Sequence, residues 1–520
     1  MTLRYIVSRL LAILTFLSTT ALSQTPIGRA IPGRFIVTYR NGAIPASAAS
    51  TAQAAGAHLL QRHERLGIAI IQASSSSAEN VRATLTADPS VQFVVEDRIV
   101  SAHAVQIRSA VAPNTAAATL YNSPQGWAVR QVGGFGNSTT PGPWNATTGN
   151  GVRIAILDSG VDAAHPGIAP NLALNLSEID QSVATGLPSP CDDGTPQDQQ
   201  GHGTWTASLA AAAAGPSTGL VVGVAPTATL LNIKVLERLS SATPSAADPL
   251  GCNAGEASGL LSWVIAGIED AVAQRAEIVS MSLGTLVDIA TGDGAGLQAT
   301  FDQVTHAAAN AGVILIASAG NDGFNLANQQ YLELPAQSRD VLAIVASTNP
   351  ACAENLVAPV AGVAATCIPG PVTLPYYSNF GAPLNALAAP GGSYPANSSA
   401  DPGSDTTQTS GWIWGACSSG NPSTVSGAPS TPGQSFGCFG LGHVAYVQAM
   451  GTSASAPLAA GAAALLLAAN PTWGPAMVIA ALRASAVALP GLPVPQIDVA
   501  ALLTAPASPN QQHIINPNQH

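Results

Sequence analysis

The chain has 520 residues, enough for more than one domain and for a large buried core. Only 9% of the residues are charged and 47% are hydrophobic, with a formal net charge of −11. The net charge argues against nucleic acid or an anionic membrane surface, which need clustered Lys and Arg, and Lys234 is the only lysine, so neither is expected as a partner. At the start, Arg4 and Arg9 precede the apolar run Leu10 to Leu17, and Ala21-Leu22-Ser23 offers small residues for cleavage. Residues 1–23 read as a signal peptide, which implies export, extracellular or periplasmic.

Residues 24–103 read as a small α+β unit: a strand over Arg34 to Tyr39, a helix over Ala46 to Ala57, a strand over Gly67 to Ala73, a helix over Ala78 to Ala87 and a strand over Val91 to Val95. The loose Ala/Thr/Pro/Asn stretch Ala104 to Thr119 has the character of a linker. From Val152 strands and helices alternate. Strands are predicted over Val152 to Leu157, Thr229 to Val235, Ile278 to Leu283, Val313 to Ala319 and Val341 to Ser347. Helices are predicted over Thr206 to Ala214, Leu260 to Arg275 and Phe301 to Ala311. Such alternation predicts βαβ units, a parallel sheet with helices on both faces, and the fold class α/β. The unbroken apolar run Val313 to Ala317 fits a strand buried on both sides.

Between Gly391 and Tyr446 the chain turns to Gly, Ser, Pro and Thr, which predicts a long surface insertion at about 391–446. Helical pattern returns at Ser453, with the helix proper starting near Pro457, and again over Ala476 to Ser485. Leu458 to Ala469 is the longest apolar stretch after the N-terminus; it falls short of a spanning helix and reads as a buried core helix, so no membrane anchor is expected. The tail from about residue 506 is too polar to pack. All six cysteines (Cys191, Cys252, Cys352, Cys367, Cys417, Cys438) lie after residue 190, an even number suited to an oxidising compartment. Fifteen connectivities are possible; pairing sequence neighbours gives Cys191–Cys252, Cys352–Cys367 and Cys417–Cys438.

Three strings carry the chemistry: Leu157-Asp158-Ser159-Gly160, Gly201-His202-Gly203-Thr204 and Gly451-Thr452-Ser453-Ala454-Ser455-Ala456-Pro457. A serine hydroxyl is a poor nucleophile at neutral pH and needs a base within hydrogen-bond reach. Ser453 sits beside a helix N-terminus, where the dipole favours the charge that develops at an attacked carbonyl. His202 lies between glycines that let backbone approach closely. Asp158 follows an apolar strand and so emerges at a strand's C-terminal end. The order Asp, His, Ser is one known way to assemble such a set.

These strings resemble those of the subtilisin-like serine peptidases, the subtilases. The resemblance implies Ser453 as nucleophile, His202 as general base, Asp158 rather than Asp162 as its orienting carboxylate, and Asn321, in Ser318-Ala319-Gly320-Asn321, as oxyanion donor. It implies that Ser282-Leu283-Gly284 and Ser318-Ala319-Gly320 bind extended substrate, and that residues 24–103 are an inhibitory propeptide whose tail, Asp97 to His103, lies in the cleft before cleavage near His103-Ala104. It places Glu333, in Leu332-Glu333-Leu334-Pro335-Ala336, at the base of the pocket for the substrate residue before the scissile bond (P1). There it either reads Arg or Lys or points to solvent and leaves an apolar pocket. Trp205 and Thr206-Ala207-Ser208 depart from the family's usual residues without removing a catalytic group. Gly167 replaces an aspartate that commonly serves calcium, so no metal site is carried over and the chemistry calls for no cofactor. The expected protein is a monomeric secreted endopeptidase, with residues 104–505 as its peptidase domain, acting on proteins or peptides and inhibited by its own propeptide. A non-catalytic surface protein on the same fold is the alternative that the complete set argues against. A narrow processing protease is one that the insertion would support.

Overall fold

The computed structural model describes residues 28–102, 106–108, 120–122, 124–180, 189–214, 220–240, 245, 250–253, 255–328, 330–352, 369–382, 384–393, 411–420, 438–441 and 444–504. The proposed signal peptide, the proposed cleavage site near His103-Ala104 and the C-terminal tail lie outside them. In chain order the N-terminal unit comprises β1 (Ala30–Tyr39), α1 (Ala48–Ala54), β2 (Ala57–His63), β3 (Ile68–Ala73), α2 (Ala78–Ala87) and β4 (Val91–Ala102). These strands form an antiparallel sheet in the order β4-β1-β3-β2. β2 falls where the sequence predicted only a helix end: its residues are mostly half-exposed, so no apolar alternation announces it.

The rest of the chain carries β5 (Gln106–Arg108), α3 (Trp127–Gln131), β6 (Arg153–Asp158), β7 (Leu172–Ser177), α4 (His202–Ala211), β8 (Thr229–Lys234), β9 (Leu236–Arg238), β10 (Ala257–Leu260), α5 (Leu261–Ala273), β11 (Ile278–Met281), β12 (Leu283–Asp288), α6 (Gly294–Asn310), β13 (Ile314–Ser318), β14 (Tyr331–Leu334), β15 (Val341–Ser347), β16 (Ala386–Pro390), β17 (Ile413–Ala416), β18 (Tyr446–Met450), α7 (Thr452–Ala469), α8 (Pro475–Ser485) and α9 (Ala500–Thr504). Seven of the strands make a parallel sheet in the order β16-β15-β13-β11-β6-β8-β7.

Both faces of that sheet are buried, as the apolar runs predicted. Along β6, Ile154 and Ile156 enter one core with α4 and α7, while Ala155 and Leu157 enter a second with α5 and α6. The apolar α7 is long enough to cross a membrane, yet 89% of its most apolar window is buried inside the protein.

The N-terminal sheet packs on the α5–α6 side. Ile36, Ile68, Ile70 and Val95 join the second core, while Phe35, Val37 and Ile71 face α1 and α2 in a core of their own. Arg34 and Asp97 form a buried ion pair at 2.9 Å, and Asp97 also accepts the Ser262 N–H and hydroxyl at the start of α5.

Two expectations are corrected. β4 does not stop at Val95: when β1 ends as a partner, β10 and β12 take over and carry the strand to Ala102. The 391–446 stretch is not wholly a surface loop. Trp412 and β17 within it are buried, and β17 pairs with β18. The disulfides Cys191–Cys252 and Cys417–Cys438 form as expected. Cys352 is disulfide-bonded, and Cys367 lies outside the described residues.

Candidate active site

β6 ends at Asp158 and α4 begins at His202, at the C-terminal edge of the parallel sheet. His202 Nδ1 lies 2.7 Å from Asp158 Oδ1. Asp158 also accepts the Ser159 N–H at 2.7 Å and the Thr206 hydroxyl at 3.0 Å, which satisfies a carboxylate with no solvent exposure. The bond to Asp158 keeps a proton on Nδ1 and leaves Nε2 as the basic nitrogen. Nε2 is buried and has no hydrogen-bond partner among the described residues. Asp162, the competing carboxylate, instead accepts the backbone N–H groups of Ala164 and Ser419.

The motif glycines have a steric reason. A Cβ at Gly203 would collide with the Gly160 carbonyl, so the strand-end turn and the first turn of α4 can touch only as glycines. Gly201 has φ +111° and faces Cys438 Sγ, so a side chain there would be both strained and crowded.

Ser453 does not precede its helix as expected; it is the second residue of α7, and Pro457 sits inside that helix. Proline has no N–H to give the carbonyl four residues back. That carbonyl belongs to Ser453, and the Ser282 hydroxyl donates to it at 2.9 Å. The Ser453 hydroxyl in turn donates to the Ser282 carbonyl at 3.3 Å, not to His202. Catalytic hydrogen bonds are often open before substrate arrives.

Asn321 follows β13, and its Oδ1 accepts the Thr452 N–H at 3.0 Å and the Thr452 hydroxyl at 2.8 Å. The amide is thereby oriented, with Nδ2 turned away from Thr452. Leu283 and Gly284 pair with Ala102 and Ser101 of β4, while Ser258 to Leu260 of β10 pair with its other edge. Further along the chain, β5 pairs with β18, the strand that runs into Ser453. Ser318 and Ala319 are buried, and a Cβ at Gly320, where φ is +98°, would lie 3.0 Å from Glu333 Oε2. Glu333 is 1% exposed, which removes the alternative that it points to solvent.

Sequence reasoning missed Asp198. Its carboxylate accepts the Ser159 hydroxyl, the Gln200, Gly201 and Thr204 N–H groups, and the Thr204 hydroxyl, at 2.7 to 3.0 Å. It therefore ties the end of β6 to the start of α4. Burial pushes its pKa up, against the opposing pull of these donors and of Lys234. An acidic residue just before a helix start was the available signal. Thr206 was noted only as a departure from the family pattern, whereas it braces Asp158.

The model of the Subtilase family matches residues 149–512, and that of the fervidolysin N-terminal prodomain matches residues 18–96. Thermitase of Thermoactinomyces vulgaris is 34% identical over 209 residues, 40% of this chain and 59% of thermitase. An intracellular serine protease of Paenibacillus polymyxa is 31% identical over 207 residues, 39% of this chain and 52% of the relative. The chain thus spans little more than half the length of these curated relatives. The crystal structure of fervidolysin from Fervidobacterium pennivorans, a keratinolytic enzyme related to subtilisin, superposes with a TM-score of 0.59 at 18% identity, covering 93% of this chain and 63% of that one. With more than half of its length matched by the family model, the chain belongs to the subtilase family.

Proposed function

We propose that the chain is the precursor of an exported serine endopeptidase, with residues 24–103 as inhibitory propeptide and 104–505 as peptidase domain. The observation that carries this reading is the buried Asp158–His202 bond of 2.7 Å, which leaves Nε2 without a partner among the described residues, at the sheet edge where Ser453 lies in the first turn of α7. In the reaction Ser453 Oγ attacks the substrate carbonyl carbon while its proton passes to His202 Nε2. Asp158 steadies the imidazolium. The oxyanion takes hydrogen bonds from Asn321 Nδ2 and the Ser453 N–H. His202 then protonates the leaving amine, and water, deprotonated by the same nitrogen, releases the acyl group. Ser282, Leu283 and Gly284 hold the substrate backbone as an added strand, and Ser318, Ala319 and Gly320 wall the pocket. The proposed P1 preference is Arg or Lys, supported by the buried carboxylate of Glu333 beside Gly320.

The test is covalent labelling with self-processing. A fluorophosphonate should label Ser453 in the processed protein, and Ser453→Ala should remain full-length and unlabelled. N-terminal sequencing of exported protein should find a new end near Ala104. Normal-sized mature protein from Ser453→Ala in a protease-free host would reject self-cleavage, and absence of labelling in the wild type would reject the peptidase.

A further inference from the structure

Lys234 ends β8, in register beside Asp158, and has no solvent exposure. Its ammonium donates to Asp192 Oδ1 at 2.8 Å, to Asp192 Oδ2 at 2.9 Å, to the Gln197 carbonyl at 2.9 Å and to Gln199 Oε1. All four oxygens come from the loop 192–199, which ends just before His202. A carboxylate offering both oxygens, a backbone carbonyl and a side-chain amide oxygen are the ligand types that hard divalent cations gather. Here they surround a side chain.

Other groups also bind the loop: the Arg238 guanidinium donates to the carbonyls of Cys252, Gln199 and Asn253, the Arg238 backbone N–H donates to Asp192 Oδ2 at 3.0 Å, and the Asn232 amide donates to the Pro196 carbonyl, while the Lys234 ammonium is bonded to both Asp192 oxygens. Burial pushes the Glu237 pKa up to about 8, and its Oε2 accepts the Ser189 N–H. The loop itself has no aliphatic or aromatic residue apart from Pro196, so apolar burial cannot order it. Yet it must be ordered, because it presents Asp198, whose carboxylate holds the first turn of α4 and with it His202.

We propose that the Lys234 ammonium is a tethered internal cation for the 192–199 loop, filling the place a bound divalent metal would take. Lys234 is thus a positioning residue, acting through the loop and Asp198 on His202; this second step rests on His202 being the general base. Removing the side chain leaves a vacant oxygen shell with an uncompensated buried carboxylate, which is a calcium site.

The experiment uses the full chain in two backgrounds. In Ser453→Ala, where no cleavage intervenes, Lys234→Ala should lower Tm in EDTA, and calcium chloride should recover most of the loss by binding the folded state. The parent should lack this added response, and Asp192→Asn on top of Lys234→Ala should abolish it. In the active background, Lys234→Ala should lower kcat by about 10²-fold in EDTA with little change in KM, the scale expected for a misplaced base. Calcium should restore kcat. A variant no more responsive to calcium than its parent, one unfolded with and without calcium, or a response that survives Asp192→Asn overturns the tethered cation. A kcat unchanged in EDTA overturns the positioning role. The Tm arm does not depend on catalysis, so it stands even if the wild type fails to label with fluorophosphonate.

Discussion

Asn321 gives its Oδ1 to both donors of Thr452, so the neighbour of the nucleophile fixes which way the amide points. An amide oriented by a bond made before substrate binds is pre-organised, and such donors act mainly on the transition state. Asn321→Ala should therefore lower kcat by roughly 10²- to 10³-fold with KM nearly unchanged. A kcat within error of wild type would assign the oxyanion to other donors. Glu333 raises a different question, since its carboxylate is buried beside Gly320 rather than reaching solvent. A P1-varied peptide series should favour Arg and Lys for the wild type, and Glu333→Gln should lose that preference by about 10-fold or more, the cost of unpairing a buried polar group. Identical profiles favouring Leu or Phe would show that Glu333 does not read substrate. Asp158, His202, Ser453 and Asn321 could be proposed from sequence because each lies in a short string whose neighbours serve its chemistry. Asp198 offered only the weak signal of an acidic residue before a helix start, since its tie to Ser159, 39 residues away, cannot be read locally, and Lys234 offered none, because Asp192 lies 42 residues from it.

Among the elements, β4 links the N-terminal unit to the site. Its first half belongs to the N-terminal sheet and its second half is clasped between β10 and β12, with Ser101 opposite both Ser258 and Gly284. A residue paired on two edges needs its N–H, and proline there removes a ladder bond. Ser101→Pro should slow self-processing at least about 10-fold, read as the fraction of precursor remaining over time, while peptidase matured by added wild-type enzyme keeps its kcat on short peptides. Processing at the wild-type rate would mean that the cleaved chain is not presented through this pairing. The parallel strands were legible because burial on both faces leaves an unbroken apolar run, as in β13 and β15. β2 and β10 were not, since a half-exposed strand and a four-residue strand whose last residue was read as the helix start leave no period to detect. β17 was hidden by its surroundings: four buried residues inside a Gly/Ser/Pro-rich stretch read as part of the loop. The start of α7 was misplaced because Pro457 suggested a first turn, whereas the Ser282 hydroxyl satisfies the carbonyl that proline leaves open.

At the scale of the whole molecule, two cores share one sheet, and the polar groups enclosed beside them set how stability depends on pH. Glu237 has no solvent exposure, and burial, aided by the charge of Asp192, raises its pKa to about 8. The unfolded chain releases that proton in the usual carboxylate range. Between that range and pH 8 the folded state binds more protons than the unfolded one, so stability falls as pH rises and levels off above about 8. The slope from one such group is at most about 1.4 kcal/mol per pH unit. Glu178, also raised to about 8 by burial and by its hydrogen bond to Asp270, adds a contribution of the same sign. Glu237→Gln should remove only its own share: compared in the Ser453→Ala precursor, it should match the parent near pH 4.5 and melt several degrees higher at pH 9. The comparison is a Tm series across that range. Superimposable profiles would mean that Glu237 is already ionised in the folded protein at neutral pH and that its burial is compensated. In that case the added negative charge beside Asp192 would leave Lys234 neutralising two carboxylates rather than one, and Lys234→Ala should then bind calcium more tightly than the same variant carrying Glu237→Gln.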